Sequence, residues 1–318
     1  MDLAVTNIDL PWPARVAASD GTTVWCSAAG RMRVYTASGA PLDGGEAVRL
    51  PELSSLAAVP ATVPRTAGVP GTLPETVIVP RTFAGPPHLG SLSESPLRGT
   101  LAGTAQGRVH WLDPAGAPLA TAPLSTGPLS TGPLSTGPLS TGPFDGRVLA
   151  GGGEIWAVGA ERARRLTAPG DLGEPVELPG LDRCAVEGER LWWTSKRDTL
   201  VRGGPREVDL WTRERGGMTV CAGSLWISVA GGLERVSAWS GEPRRFVKLP
   251  KGPVPFLVCA NGVLAGGERD LFVLDPAAGA AARVIRLGLK TRLAMVVAAG
   301  KHIWAFPADR PQALIVPL

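Results

Sequence analysis

An all-β chain, built as a ring of repeated four-stranded units, is predicted by three observations. Turn-forming residues are abundant, with 41 Gly and 31 Pro in 318 residues. A small-residue strand, a glycine turn and an aromatic strand recur at a nearly fixed spacing, and the two ends of the chain carry complementary fragments of that unit. Hydrophobic content of 44% with 19% charged residues belongs to an ordinary globular protein. A chain of this length exceeds one compact core, so the core is either divided between domains or spread around a repeat.

The repeat decides for the second arrangement. Its first two strands read Val16-Ala17-Ala18 with Val24-Trp25, Leu149-Ala150-Gly151 with Ile155-Trp156, and Cys184-Ala185-Val186 with Leu191-Trp192. They continue as Val220-Cys221-Ala222 with Leu225-Trp226, Val258-Cys259-Ala260 with Val263-Leu264, and Val297-Ala298-Ala299 with Ile303-Trp304. The anchor at 156, 192, 226, 264 and 304 steps by 36, 34, 38 and 40 residues. From Trp25 to Ala102, in Gly99-Thr-Leu-Ala-Gly-Thr-Ala105, there is room for two units, the intervening one starting at Ser55-Leu-Ala-Ala-Val59 and continuing through Thr76-Val-Ile-Val79. The expected count is about eight, with seven as the alternative.

The third strand alternates and ends in a turn, as in Arg108-Val-His-Trp-Leu112 before Asp113-Pro114-Ala115-Gly116 and Asp270-Leu-Phe-Val-Leu274 before Asp275-Pro276. Proline pre-sets the turn and glycine accepts positive φ. The fourth strand ends in Leu-Pro, at Val48-Arg-Leu-Pro51, Val176-Glu-Leu-Pro179 and Val247-Lys-Leu-Pro250, with Ile285-Arg-Leu-Gly288 as a variant. Proline is tolerated there because an outermost strand need not pair all its amides. The same pattern opens the chain as Ile8-Asp-Leu-Pro11, while the last unit stops after Ala313-Leu-Ile-Val316. Each end supplies what the other lacks, which predicts a single closed β-propeller over residues 1–318, sealed by its N-terminal strand.

These strand, Asp-Pro turn and aromatic-strand units resemble the superfamily of WD40-, YVTN- and quinoprotein-like propeller repeats over nearly the whole chain. The Gly-His and Trp-Asp dipeptides of typical WD40 units are absent, so the resemblance implies the architecture and no particular partner.

Few residues suggest chemistry. Trp25, Trp156, Trp192, Trp226 and Trp304 share one strand position and are expected to pack between units rather than form a sugar-stacking shelf. Trp193, next to Trp192 on an alternating strand, is expected to be exposed. Cys26, Cys184, Cys221 and Cys259 form no CxxC or CxxH pair, and buried free thiols without disulfides or metal are expected. Equivalent cysteines of neighbouring units are expected to lie too far apart for one ion. His88, His110 and His302 occupy unrelated positions with no evident nucleophile or orienting acid. No dinucleotide or Walker-type glycine loop is present, and no catalytic, cofactor-binding or metal-ligating residue is singled out.

Residues 123–143 are a low-complexity insert of repeated Pro-Leu-Ser-Thr-Gly, expected to be a loop between units because one Leu in five cannot offset the cost of ordering the chain. The net charge is +4, with 9 Lys/Arg against 10 Asp/Glu in residues 1–150 and 23 against 18 in residues 151–318. Basic and acidic residues alternate, so nucleic acid is not an expected partner. Without a signal-like or long apolar segment, a cytoplasmic monomer with no membrane partner is expected. The expected function is a non-enzymatic protein-interaction or scaffold propeller. The alternatives are a small-molecule or glycan-binding propeller, and a propeller lyase or hydrolase with its site in the central channel.

Overall fold

The computed structural model describes residues 5–42, 47–59, 99–106, 108–123, 147–237, 243–249, 252–276 and 282–318. These residues form 28 strands in seven four-stranded antiparallel sheets. The first strand, β1 (Thr6–Asp9), belongs to the last blade. Blade 1 holds β2 (Val16–Ser19), β3 (Thr23–Ala28), β4 (Arg31–Thr36) and β5 (Val48–Arg49). Blade 2 holds β6 (Ser55–Ala58), β7 (Leu101–Ala105), β8 (Arg108–Leu112) and β9 (Pro118–Pro123). Blade 3 holds β10 (Arg147–Gly151), β11 (Glu154–Val158), β12 (Arg162–Ala168) and β13 (Asp171–Glu177). Blade 4 holds β14 (Leu181–Glu187), β15 (Arg190–Ser195), β16 (Leu200–Arg202) and β17 (Val208–Asp209). Blade 5 holds β18 (Arg215–Cys221), β19 (Ser224–Val229), β20 (Gly232–Ser237) and β21 (Pro243–Lys248). Blade 6 holds β22 (Phe256–Ala260), β23 (Val263–Gly267), β24 (Leu271–Leu274) and β25 (Arg283–Ile285). Blade 7 holds β26 (Leu293–Ala299), β27 (His302–Pro307) and β28 (Gln312–Pro317), and β1 completes it.

Seven blades, the alternative count, replace eight. Ser55-Leu-Ala-Ala pairs directly with Leu101–Ala105 (Ser55↔Thr104, Ala58↔Leu101), so the two stretches taken as separate units are neighbouring strands of blade 2. A long interruption between first and second strands had the spacing of an extra blade. Pro123, the first residue of the Pro-Leu-Ser-Thr-Gly insert, ends β9, while the rest of the insert and Thr76–Val79 lie outside the described residues.

Ring closure follows the predicted strand exchange. β1 pairs antiparallel with β28 through Thr6↔Ile315, Asn7↔Leu314, Ile8↔Ala313 and Asp9↔Gln312. The Leu-Pro signature also has a structural reason. Leu10, Leu178 and Leu249 are buried, and each donates its amide to the turn joining the second and third strands of its blade, at Pro311, Glu161 and Gly231. The proline follows the last amide that needs a partner and so terminates the strand without orphaning a donor.

The core is divided among seven clusters, one at each blade boundary. Trp25, Trp156, Trp192, Trp226 and Trp304 are all buried and all face the following blade. Three of them bond across the boundary: Trp25 Nε1 donates to Pro114 O at 2.9 Å, Trp156 Nε1 to Gly188 O at 3.2 Å and Trp304 Nε1 to Ala37 O at 2.8 Å. The sixth anchor is Ala265 rather than Leu264. Counting from the turn, Cys221↔Ser224 in blade 5 matches Ala260↔Val263 in blade 6, so Ala265 stands where Trp226 does. Leu264 packs toward blade 5 instead, because a shift of one residue reverses the side on which a strand residue projects. In blade 2 the position is Ala102, and Trp111, its partner on β8, fills that boundary.

Trp193 is buried, contrary to its expected exposure. Alternation does send it to the opposite side of its sheet from Trp192, but both sides of a blade are covered. Trp192 faces blade 5 and Trp193 faces blade 3, with the Arg202 guanidinium 5.0 Å from the Trp193 ring centre.

The cysteines require a further correction. Cys221 and Cys259, at matching ends of the first strands of blades 5 and 6, form a disulfide with their Cα atoms 5.3 Å apart. By the same register Cys259 stands one place before the match of Cys221, so the two project from facing sides of neighbouring first strands, which converge on the ring axis closely enough for the thiols to bond. Cys26 and Cys184 are free and buried, as expected. Burial raises both thiol pKa values, partly opposed at Cys184 by Arg147, whose Nη2 donates to Sγ at 3.1 Å.

Candidate functional site

The first strands of the blades surround the ring axis. Where they turn into the second strands, they enclose a cavity of about 650 Å³. Its wall is made of small and aliphatic residues such as Ala150, Val186, Val258 and Ala298, which suit the crowded inner end of each blade. Glycines allow the turns to approach one another: Gly152 has φ +61°, and a Cβ there would lie 2.4 Å from Gly188 N of the next blade. The rim carries Asp20, Glu154 and Glu187. Asp20 Oδ1 is occupied by the amides of Thr22 and Thr23, each at 2.8 Å. Burial raises the Glu154 pKa, opposed by Arg165 and reinforced by Glu189, and the last two are hydrogen-bonded to each other. This end of the channel is a shallow, mildly acidic bowl.

The histidines are dispersed. His110 lies on β8 with Nδ1 3.3 Å from Thr121 Oγ1, and burial lowers its pKa. His302 opens β27 in blade 7. His88 lies outside the described residues. Among the described residues no group of three or more His, Cys, Asp and Glu is arranged to hold a metal ion.

A second feature lies at the opposite face, on the boundary between blades 4 and 5. Leu210 follows β17, is buried, and donates its amide to Thr199 O at 3.0 Å. It therefore plays the part that Leu10, Leu178 and Leu249 play in their blades. The next position holds proline in those repeats and tryptophan here, and the indole of Trp211 is 64% exposed. Trp211 meets Phe246 of β21, itself 47% exposed, edge-to-face with ring centres 6.3 Å apart. Exposed Arg213 and Glu214 follow Trp211, and exposed Lys248 lies two residues beyond Phe246 on the same side of its strand. A tryptophan outside the strand pattern had no place in the repeat reading. The signal for it is the departure from Leu-Pro at Leu210-Trp211.

No protein-family model matches the chain, and no curated protein matches it. Among solved structures it is similar to the WD40 β-propeller domain of Doa1, with a TM-score of 0.61 and 13% identity over 99% of this chain and 96% of that one. It is also similar to a chain of the mitotic checkpoint complex, with a TM-score of 0.61 and 11% identity over 98% and 91% of the two chains. PorZ, a surface component of the type-IX secretion system of Porphyromonas gingivalis, gives a TM-score of 0.59 and 13% identity. That match covers 94% of this chain but only 36% of PorZ. At such identities the likeness is one of fold. The seven four-stranded blades, the strand exchange that closes them and these neighbours together make the chain a seven-bladed β-propeller, similar in fold to WD40 domains.

Proposed function

We propose that the protein is a non-enzymatic, protein-binding propeller whose docking anchor is the seam between blades 4 and 5. One observation carries this reading. Trp211 and Phe246 form an exposed aromatic pair, with Trp211 at a repeat position that holds proline in blades 1, 3, 5 and 7 and glycine in blade 6. Neither ring is needed to fill a blade boundary. Large aromatics flanked by charged groups are the residues that contribute most when one protein surface covers another. The mitotic checkpoint complex is an assembly in which a propeller of this architecture takes part, and use of the ring as a rigid platform agrees with that.

A photo-crosslinking amino acid placed at position 246 is expected to capture a defined protein in the native host, identified by mass spectrometry. The same group at exposed Val284 of blade 6 is the control. With the captured protein purified, Trp211→Ala is expected to weaken binding by about tenfold or more. Unchanged affinity in Trp211→Ala and Phe246→Ala would remove the seam as the docking site.

A small-molecule site is the second reading, supported by the channel bowl of about 650 Å³ with its carboxylate rim. It predicts a ligand whose binding Glu187→Gln weakens and Trp211→Ala leaves alone.

A further inference from the structure

Glu234 is the cross-strand neighbour of the Phe246 of the aromatic pair. It sits on β20 and alternates with Leu233, which faces blade 6. Its side therefore faces blade 4, as does Val236 two residues on. Glu234 is only 8% exposed, and its Oε2 has no hydrogen-bond partner among the described residues. Across the seam stands Asp209 of β17, two residues before Trp211, its carboxylate held by the Thr199 hydroxyl. Burial, reinforced by the like charge of Asp209, pushes the Glu234 pKa up.

A carboxyl in this position is out of place as packing. Taking it out of water without a partner costs free energy, and an uncharged side chain of the same shape would be cheaper. A proton would neutralise it but would still leave Oε2 unpaired. A cationic group entering from outside satisfies the carboxyl and at the same time lies against two exposed ring faces, where the aromatic quadrupole attracts positive charge. Exposed Arg213 and Lys248 beside the seam are not bonded to Glu234, and they oppose a continuous run of basic residues.

We infer that the seam between Trp211 and Phe246 receives a single cationic side chain, arginine or lysine, of the docked protein, with the Glu234 and Asp209 carboxyl groups as its counter-charge. The inference rests on the proposed docking role and specifies its chemistry.

The test uses the full chain with ¹⁵N-labelled tryptophan, the Trp211 indole signal being assigned by its loss in Trp211→Phe. The probes are the blocked tripeptides Gly-Arg-Gly, Gly-Lys-Gly and Gly-Glu-Gly. The arginine or lysine peptide is expected to shift the Trp211 signal saturably, and the glutamate peptide to leave it in place. Glu234→Gln is expected to weaken the cationic peptide by about five- to tenfold, and Asp209→Asn to act in the same direction. Asp209 is exposed, so its variant keeps the test open if Glu234→Gln does not fold. A shift with the glutamate peptide, no shift with either cationic peptide, or equal affinity in wild type and both variants overturns the inference. If the purified partner depends on Trp211 but is indifferent to Glu234→Gln and Asp209→Asn, the cation site is wrong and the docking seam stands. If the partner is indifferent to Trp211, both are wrong.

Discussion

Cys221 and Cys259 join the first strands of two successive blades beside the ring axis, and Cys259 lines the central cavity. The bond spans 38 residues and encloses most of blade 5 in one covalent loop. In the chain-entropy account, a loop of that length stabilises the fold by about 4 kcal/mol relative to an unlinked unfolded chain. Cys259→Ser and reduction of the wild type are therefore expected to lower the urea midpoint by similar amounts, with no further effect of reductant on the variant. Denatured but unreduced protein should show two free thiols, and four would mean that the bond does not form. An oxidising setting favours the bond, so the same thiol count in protein taken directly from its host reports on the compartment.

The tryptophan positions predict a graded response. Trp226→Ala removes a fully buried ring from the boundary of blades 5 and 6 and should cost about 3–5 kcal/mol. Ala265→Trp inserts a ring at the equivalent position of blade 6, where Ala265 is fully buried, and should be destabilising by about 1–3 kcal/mol. A stabilised Ala265→Trp protein would show that the boundary of blades 6 and 7 is underfilled.

Closure of the ring predicts a crosslink. Asn7→Cys combined with Leu314→Cys places the two thiols at directly paired positions of β1 and β28. Oxidation is expected to give an intramolecular bond, visible as altered mobility on a denaturing gel. The linked protein should melt higher than its reduced form. Absence of the link in folded protein would mean that the N-terminal strand is not seated in blade 7.

The pH dependence of stability should carry the signature of Glu234. Its pKa is raised in the folded state by burial and by Asp209, so folding favours the protonated acid. That contribution is complete below the unfolded-state pKa of about 4.3 and is lost as pH rises through the raised folded-state value. Glu234→Gln is thus expected to melt higher than wild type at neutral pH and to show a flatter profile across that window. A wild-type protein that gains stability relative to the variant as pH rises would contradict the burial of an unpaired carboxyl.

The parts of this fold legible in the sequence are those that the repeat states many times over. Trp156, Trp192 and Trp226 announce a shared position because each follows the same strand and turn, and Ile8-Asp-Leu-Pro11 announces strand exchange because it is a fourth strand without its first three. Leu264 misled because blade 6 has alanine at the aromatic position, leaving a larger neighbour one residue away to be taken for it. Trp193 misled because alternation identifies a side of a sheet but not whether another blade covers that side. Contacts across the ring were the least legible. The proximity of Cys221 to Cys259 depends on the radius of the channel, and the burial of Glu234 opposite Phe246 depends on how blade 5 leans on blade 4. Trp211 was visible only as a break in a Leu-Pro rule whose structural basis is the hydrogen bond that the leucine amide donates, here Leu210 N–H to Thr199 O.

The exchange of β1 into blade 7 also constrains how the molecule comes into being. Gln312 Nε2 donates to Asp9 Oδ1 at 2.9 Å across a separation of 303 residues, so the strand that opens the ring finds its partner only after the other blades have been made. During synthesis the earlier blades can stack in order on local contacts, while β1 waits unpaired and the growing edge of the stack stays open. Formation of the last blade is then the step that turns an extensible pile of sheets into an object of fixed size. The apolar residues of β28 are the surface at greatest risk of pairing with another chain until β1 arrives.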